Sequence, residues 1–158
     1  MRERPTVRVL LLGPDNRLLL IRFEDKRLNK GRVFWATVGG GLEDGEDVLT
    51  GARREIAEET GITDAELGPV VWLDDVVIDI AGESVFFREQ YIVARTHRTD
   101  FDFSGWTELE REVIKDIRWF TVDDIRASTE RIYPDVLADW LPDILVGNHP
   151  PVPKRMAR

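Results

Sequence analysis

Between Asp47 and Thr60 the chain carries its clearest helical pattern, with Leu49, Ala52 and Ile56 recurring at helical spacing and Gly61 following as a C-terminal stop. Strand-like segments flank it on both sides. Thr6–Leu12, Arg17–Arg22 and Phe34–Val38 precede it, and Val70–Ile80 and Ser84–Ala94 follow. Strands, a helix, strands and then helices predict an α/β (α+β mixed) domain, a mixed sheet with helices against its faces.

The turn sequence Gly13-Pro14-Asp15-Asn16 predicts that the first two strands form a hairpin. Phe23–Arg32 is polar and reads as a loop. Phe34–Val38 runs into Gly39-Gly40-Gly41, where the backbone is free of side-chain restriction. Thr99–Thr107 reads as a loop and Asp116–Phe120 as a strand. Thr121, with Asp124 three residues on, is expected to cap a helix over Val122–Ala127. Pro134 is expected to open a last helix to about Val146, interrupted at Pro142. The reading is one domain over residues 1–146, then a loose, proline-rich tail over 147–158.

With 158 residues, the chain has the length of one domain. It has no cysteine, which removes disulfides, thiolate metal sites and a cysteine nucleophile. The net charge of −8 disfavours duplex nucleic acid as a partner. A small phosphorylated substrate stays compatible with it, because a bound cation masks the repulsion. There is no secretory leader and no apolar run long enough to span a bilayer, so the chain reads as cytoplasmic, without a membrane partner. A homodimer is left open.

Glu55, Glu58 and Glu59 are spaced three and four apart on the predicted helix and share a face, with Gly51 on the same side. Their mutual repulsion is expected to be relieved by a divalent cation, no Lys or Arg lying on that face within the next turn. An all-oxygen set suits Mg²⁺ or Mn²⁺ rather than Zn²⁺. Glu46 and Arg54 bracket the helix and are expected to pair, pinning the loop to it. A Glu-x-x-Glu-Glu alone is usually a solvated face. The whole pattern is rarer: Gly40, five residues, Glu46, seven residues, then Arg54-Glu55-Ile56-Ala57-Glu58-Glu59-Thr60-Gly61-Ile62.

This segment resembles the Nudix box with every defining position filled. The resemblance implies an α/β/α sandwich around a central mixed sheet. It implies Glu58 and Glu59 as principal metal ligands and Glu55 as a further ligand or the base that activates water. Arg54 would orient Glu55, Glu46 would brace the box, and the Gly40 carbonyl would complete the coordination. The implied reaction is hydrolysis of a diphosphate linkage in a nucleoside diphosphate derivative or triphosphate, a small nucleotide substrate. Members of the family often carry Pro before the glycine pair, where this chain has Val38.

Family enzymes often use a further acid. Glu89, Glu108, Glu110 and Glu112 are candidates, and Glu112 is favoured for its place before the Ile117-Arg118-Trp119-Phe120 segment. Trp35, Phe23, Phe87 and Tyr91 are candidates to stack on a base, though strand aromatics are more often core. Arg22, Arg27, Lys30 and Arg32 are candidates to meet phosphates, against a solvated loop. His97 and His149 are assigned nothing. No proline falls between Val70 and Tyr133, which disfavours the ADP-ribose branch, and the echo of the coenzyme A motif is spaced wrongly. An isomerase of the isopentenyl diphosphate type would need a cysteine. A non-catalytic nucleotide sensor and a purely structural acidic helix are the other readings.

Overall fold

The computed structural model describes residues 2–28 and 32–157. Seven strands form one mixed sheet: β1 (Arg2–Gly13), β2 (Arg17–Asp25), β3 (Arg32–Gly41), β4 (Glu66–Ile80), β5 (Glu83–Arg95), β6 (Ile114–Phe120) and β7 (Lys154–Arg155). Their order is β6-β2-β3-β1-β5-β4-β7. β1 runs parallel to β5, β7 runs parallel to β4, and the other pairs are antiparallel.

The central strands are apolar on both faces because both faces are covered. Val7, Val9 and Leu11 of β1 point to one core with Leu19 and Ile21. Leu10 and Leu12 point to the other with Leu18 and Leu20. Helix α1 (Val48–Thr60) closes the first core through Ala52 and Ile56. Helices α3 (Val122–Ala127) and α4 (Leu137–Leu145) close the second through Ile125, Leu137, Leu141 and Ile144. The result is the expected α/β/α sandwich. Among the described residues no helix is long and apolar enough to cross a membrane.

Several local expectations give way to the tertiary fold. β1 and β2 pair only at their shared turn, Leu12 with Leu18 and Gly13 with Arg17. Beyond it β3 inserts between them, taking Val7 to Gly40 on one side and Ile21 to Ala36 on the other. β2 continues to Asp25, so the first residues of the expected loop, 23–25, are strand. Leu49 is 50% exposed and does not belong to the buried stripe, whose place Gly51, Glu55 and Glu59 take beside Ala52 and Ile56.

A helix absent from the sequence reading, α2 (Glu108–Val113), opens on a capping box. Thr107 Oγ1 accepts from Glu110 N and Glu110 Oε1 accepts from Thr107 N. α4 starts at Leu137, after a Tyr133–Pro134 turn with a cis peptide. Pro142 is accommodated inside it: the Ala138 carbonyl it cannot satisfy lies 3.4 Å from Arg126 Nη2.

The segment after Val146 is docked rather than loose. β7 adds to the edge of β4, Met156 is buried in the second core, and Lys154 Nζ sits 4.0 Å above the Trp140 ring. Arg155 pairs with Asp75 at 3.0 Å.

Candidate metal and catalytic site

The site is where α1 meets the end of β3. Asp47 caps α1, its side chain accepting from Thr50 N at 2.8 Å. Gly61 ends the helix with φ of 77°. Both ends therefore stand where the sequence places them, and they fix the rotation of the helix. Glu55 and Glu59 face inward, 6% and 2% exposed, while the Glu58 side chain is 40% exposed.

The glycines make this approach feasible. Gly39 N donates to Glu59 Oε1 at 2.8 Å. Gly39 has φ of 151°, and a β-carbon there would lie 2.1 Å from the Val7 carbonyl oxygen. Gly39→Ala is expected to cost about 2–6 kcal/mol from backbone strain and overpacking together, read by denaturant unfolding. A loss under 1 kcal/mol would show that the strand end adapts. At Gly40 a β-carbon would fall 2.5 Å from Glu55 Oε1, so the carboxylate lies directly against the backbone.

Arg54 ties the acids together, contrary to the expectation that their face lacks a basic partner. Its Nε and Nη2 hold both oxygens of Glu46 at 2.8 Å. Its Nη1 reaches Glu55 Oε1 at 3.0 Å and Glu58 Oε2 at 3.3 Å, and Nη2 also donates to the Gly41 carbonyl at 3.0 Å. Hydrogen bonding to Arg54 holds the Glu46 carboxyl down at about 2, and the same pair raises the guanidinium. Burial pushes the Glu55 carboxyl up, against the pull of Arg54. Burial pushes Glu59 well above the usual carboxylate range, and the charge of Glu55 adds to it.

These donors match a hard divalent cation in kind: all are oxygen, and two are buried carboxylates that repel each other. As they stand, no three His, Cys, Asp or Glu side chains among the described residues converge into a coordinating group. Glu55 and Glu58 are turned to Arg54, and Glu59 to the Gly39 N–H.

The segment before α2 braces the far end of α1, a role the sequence reading does not assign. Trp106 Nε1 donates to the Glu59 carbonyl and Asp102 N to the Thr60 carbonyl, both at 2.9 Å. α2 also brings Glu110 near enough for its charge to raise both Glu55 and Glu59. Glu112 is exposed on the same helix, and its charge acts on Arg27 instead. Glu108 is also exposed. Glu89 is buried and paired with Arg8 at 2.8 Å. Burial pulls the Arg8 guanidinium down, but Glu89, Tyr91 and Glu59 together raise it.

The other candidates separate by environment. Trp35 is in the second core and donates to Glu130, Phe87 is buried, and Phe23 stacks on Phe34. Tyr91 is buried at the base of a cavity of about 440 Å³. Arg22 pairs with Glu130 and Arg27 with Asp25. Arg32 bonds the Tyr133 hydroxyl at the cavity rim. Lys30 lies outside the described residues. Phe34 and Tyr133, which also line the cavity, went unnoticed in the sequence because neither carries a local motif.

A mixed sheet between helices, with inward-facing glutamates at a glycine strand end, defines an α/β/α class built around one acidic helix. The NUDIX domain model matches residues 2–141, and the chain belongs to the NUDIX family. It is 43% identical over 65 residues to an RNA pyrophosphohydrolase of Caulobacter vibrioides, covering 41% of this chain and 36% of that protein. It is 30% identical over 142 residues to an RNA pyrophosphohydrolase of Roseobacter denitrificans, covering 83% and 82%. The chain thus spans about a third of the Caulobacter protein's length and most of the Roseobacter one. Among solved structures, a MutT protein from Methanosarcina mazei Go1 superposes with a TM-score of 0.63 at 22% identity, covering 93% and 96%, a likeness of fold.

Proposed function

We propose that this chain hydrolyses a diphosphate linkage in a nucleoside diphosphate derivative or nucleoside triphosphate, using Mg²⁺ or Mn²⁺. The observation that carries this reading is the buried Glu55/Glu59 pair set against Gly39 and Gly40, with Arg54 holding Glu46, Glu55 and Glu58. Glu55, Glu58 and Glu59, with the Gly40 carbonyl, are the groups to hold the cation. Bound there, it would supply Lewis-acid charge and lower the pKa of water.

The chain's own groups do the rest. Arg54 positions Glu55 against the strand. Glu55, raised by burial, is suited to take the proton as the water oxygen bonds to phosphorus and the bridging P–O bond breaks. Among acids outside α1, the supporting role goes to Glu110, whose charge reaches the pair, in preference to Glu112.

The test is phosphate release on a panel of canonical and oxidised nucleoside triphosphates, nucleotide sugars, ADP-ribose, dinucleoside polyphosphates and a 5′-triphosphorylated RNA. The RNA is included because relatives bear the name RNA pyrophosphohydrolase. Turnover by the parent protein, reduced at least about 10²-fold in a folded Glu58→Gln variant, is expected. Equal turnover in both would remove the metal site from the chemistry. No turnover on any substrate would favour a nucleotide-binding domain.

A further inference from the structure

We propose that Arg8 binds a phosphoryl group of the substrate through its two Nη nitrogens, where the cavity beside the Tyr133–Pro134 turn meets the acids of α1. The proposal deepens the hydrolase reading and rests on it. Arg8 lines that cavity, and its side chain keeps 22% of its surface exposed although it stands on the central strand β1. In the register of β1 with β3 it lies opposite Gly39, the glycine whose N–H holds Glu59. Facing residues of paired antiparallel strands are about 4.5–5.5 Å apart at Cα, so Arg8 begins one strand spacing from the acidic site. The charge of Glu59 acts on its guanidinium accordingly.

A guanidinium carries five N–H donors. Glu89 takes the one on Nε, at 2.8 Å. Nη1 and Nη2 make no hydrogen bond among the described residues, and neither is among the buried atoms left without a partner, so both keep surface open to solvent. Glu89 is itself buried and holds the guanidinium by one side, leaving the Nη edge for a ligand. Two parallel N–H groups on such an edge match two oxygens of a phosphoryl group. Arg54, by contrast, is already shared among Glu46, Glu55, Glu58 and the Gly41 carbonyl. A diphosphate approaching Glu55 and Glu59 meets negative charge on the α1 side, which a cation offsets there. On the cavity side it meets Glu89, whose charge Arg8 offsets, and the unused donors of Arg8. The rest of the substrate then extends between the apolar walls formed by Leu28, Phe34, Val76, Ile78 and Pro134.

The test uses methylenediphosphonate, a diphosphate mimic whose P–C–P link is not hydrolysed, titrated with Mg²⁺ into the whole protein by calorimetry. Two variants accompany the parent. Arg8→Lys keeps a cation beside Glu89 but cannot offer paired N–H groups. Arg8→Met combined with Glu89→Gln removes both charges and leaves neither unpaired. Each is expected to bind the diphosphonate at least about tenfold more weakly. On a panel substrate that the parent hydrolyses, KM should rise about tenfold with kcat within about twofold, as for binding shared by ground and transition state. The rise in melting temperature with Mg²⁺ alone should match the parent's, because the acids of α1 are intact. Parent-like diphosphonate affinity in either folded variant overturns the proposal, as does a parent that does not bind the probe or a variant that loses the Mg²⁺ shift. If one variant does not fold, the other decides. Weakened probe binding without turnover on the panel would sink the hydrolase reading and leave the anion site standing; turnover with KM unchanged in both variants would do the reverse.

Discussion

Glu59→Gln is expected to melt at a higher temperature than the parent protein in EDTA at pH 7–8, and to hydrolyse substrate at least about 10³-fold more slowly. The Glu59 carboxyl is buried, and its pKa lies well above the usual range, first through burial and then through Glu55. In the unfolded chain it ionises near its ordinary value. Between those two values the folded state holds more protons than the unfolded one. Stability is therefore greatest below the ordinary carboxylate pKa and falls as pH rises toward the elevated one. Glutamine removes that slope and keeps an oxygen to accept from Gly39 N. Each kcal/mol so relieved should raise Tm by about 2–4 °C. Mg²⁺ should stabilise the parent protein more than the variant. A variant less stable than the parent across pH 5–8 would show that the carboxylate is not under strain.

The second large effect is at Arg54. Its guanidinium joins the loop carboxylate Glu46, the helix carboxylates Glu55 and Glu58, and the Gly41 carbonyl. Arg54→Ala leaves buried Glu55 without its cation and frees the loop before α1. A displacement of about 1 Å at a reacting group is enough to lose roughly 10² in rate, and a drop of that size or more in kcat is expected. Arg54→Lys should rescue little, because a single ammonium cannot span Glu46 through two nitrogens while reaching Glu55. Near-parental kcat in Arg54→Lys would show that only charge is needed there.

The elements legible in the sequence are those whose signals are local. Asp47 and Gly61 bound α1, and Thr121 with Asp124 opens α3, because caps act within one turn of the residues they satisfy. The same logic was available at Thr107 and Glu110, and α2 escaped because it is a single short helix between loop and strand. The Glu46–Arg54 pair followed from the box spacing, and the structure shows it. What stayed hidden depends on distant partners. The insertion of β3 between β1 and β2 overrides a strong turn signal. Leu49 has helical spacing but faces solvent, since the buried side of α1 is set by the glutamates and glycines packed on β3. Met156 looks like part of a tail until Leu73 accepts its backbone N–H. Phe34 and Tyr133 meet edge to face across more than half the chain, beyond any local pattern.

The parallel pairing of β1 with β5 governs when the domain can first take shape on the ribosome. Arg2 lies opposite Val85 and Leu12 opposite Arg95, so the central strand of the sheet waits for more than half the chain to be made. At about 5–20 residues per second, that leaves apolar β1 unpaired on one side for several seconds. Bridging so long a loop also places this protein among slower folders, with pairing rather than helix formation setting the pace.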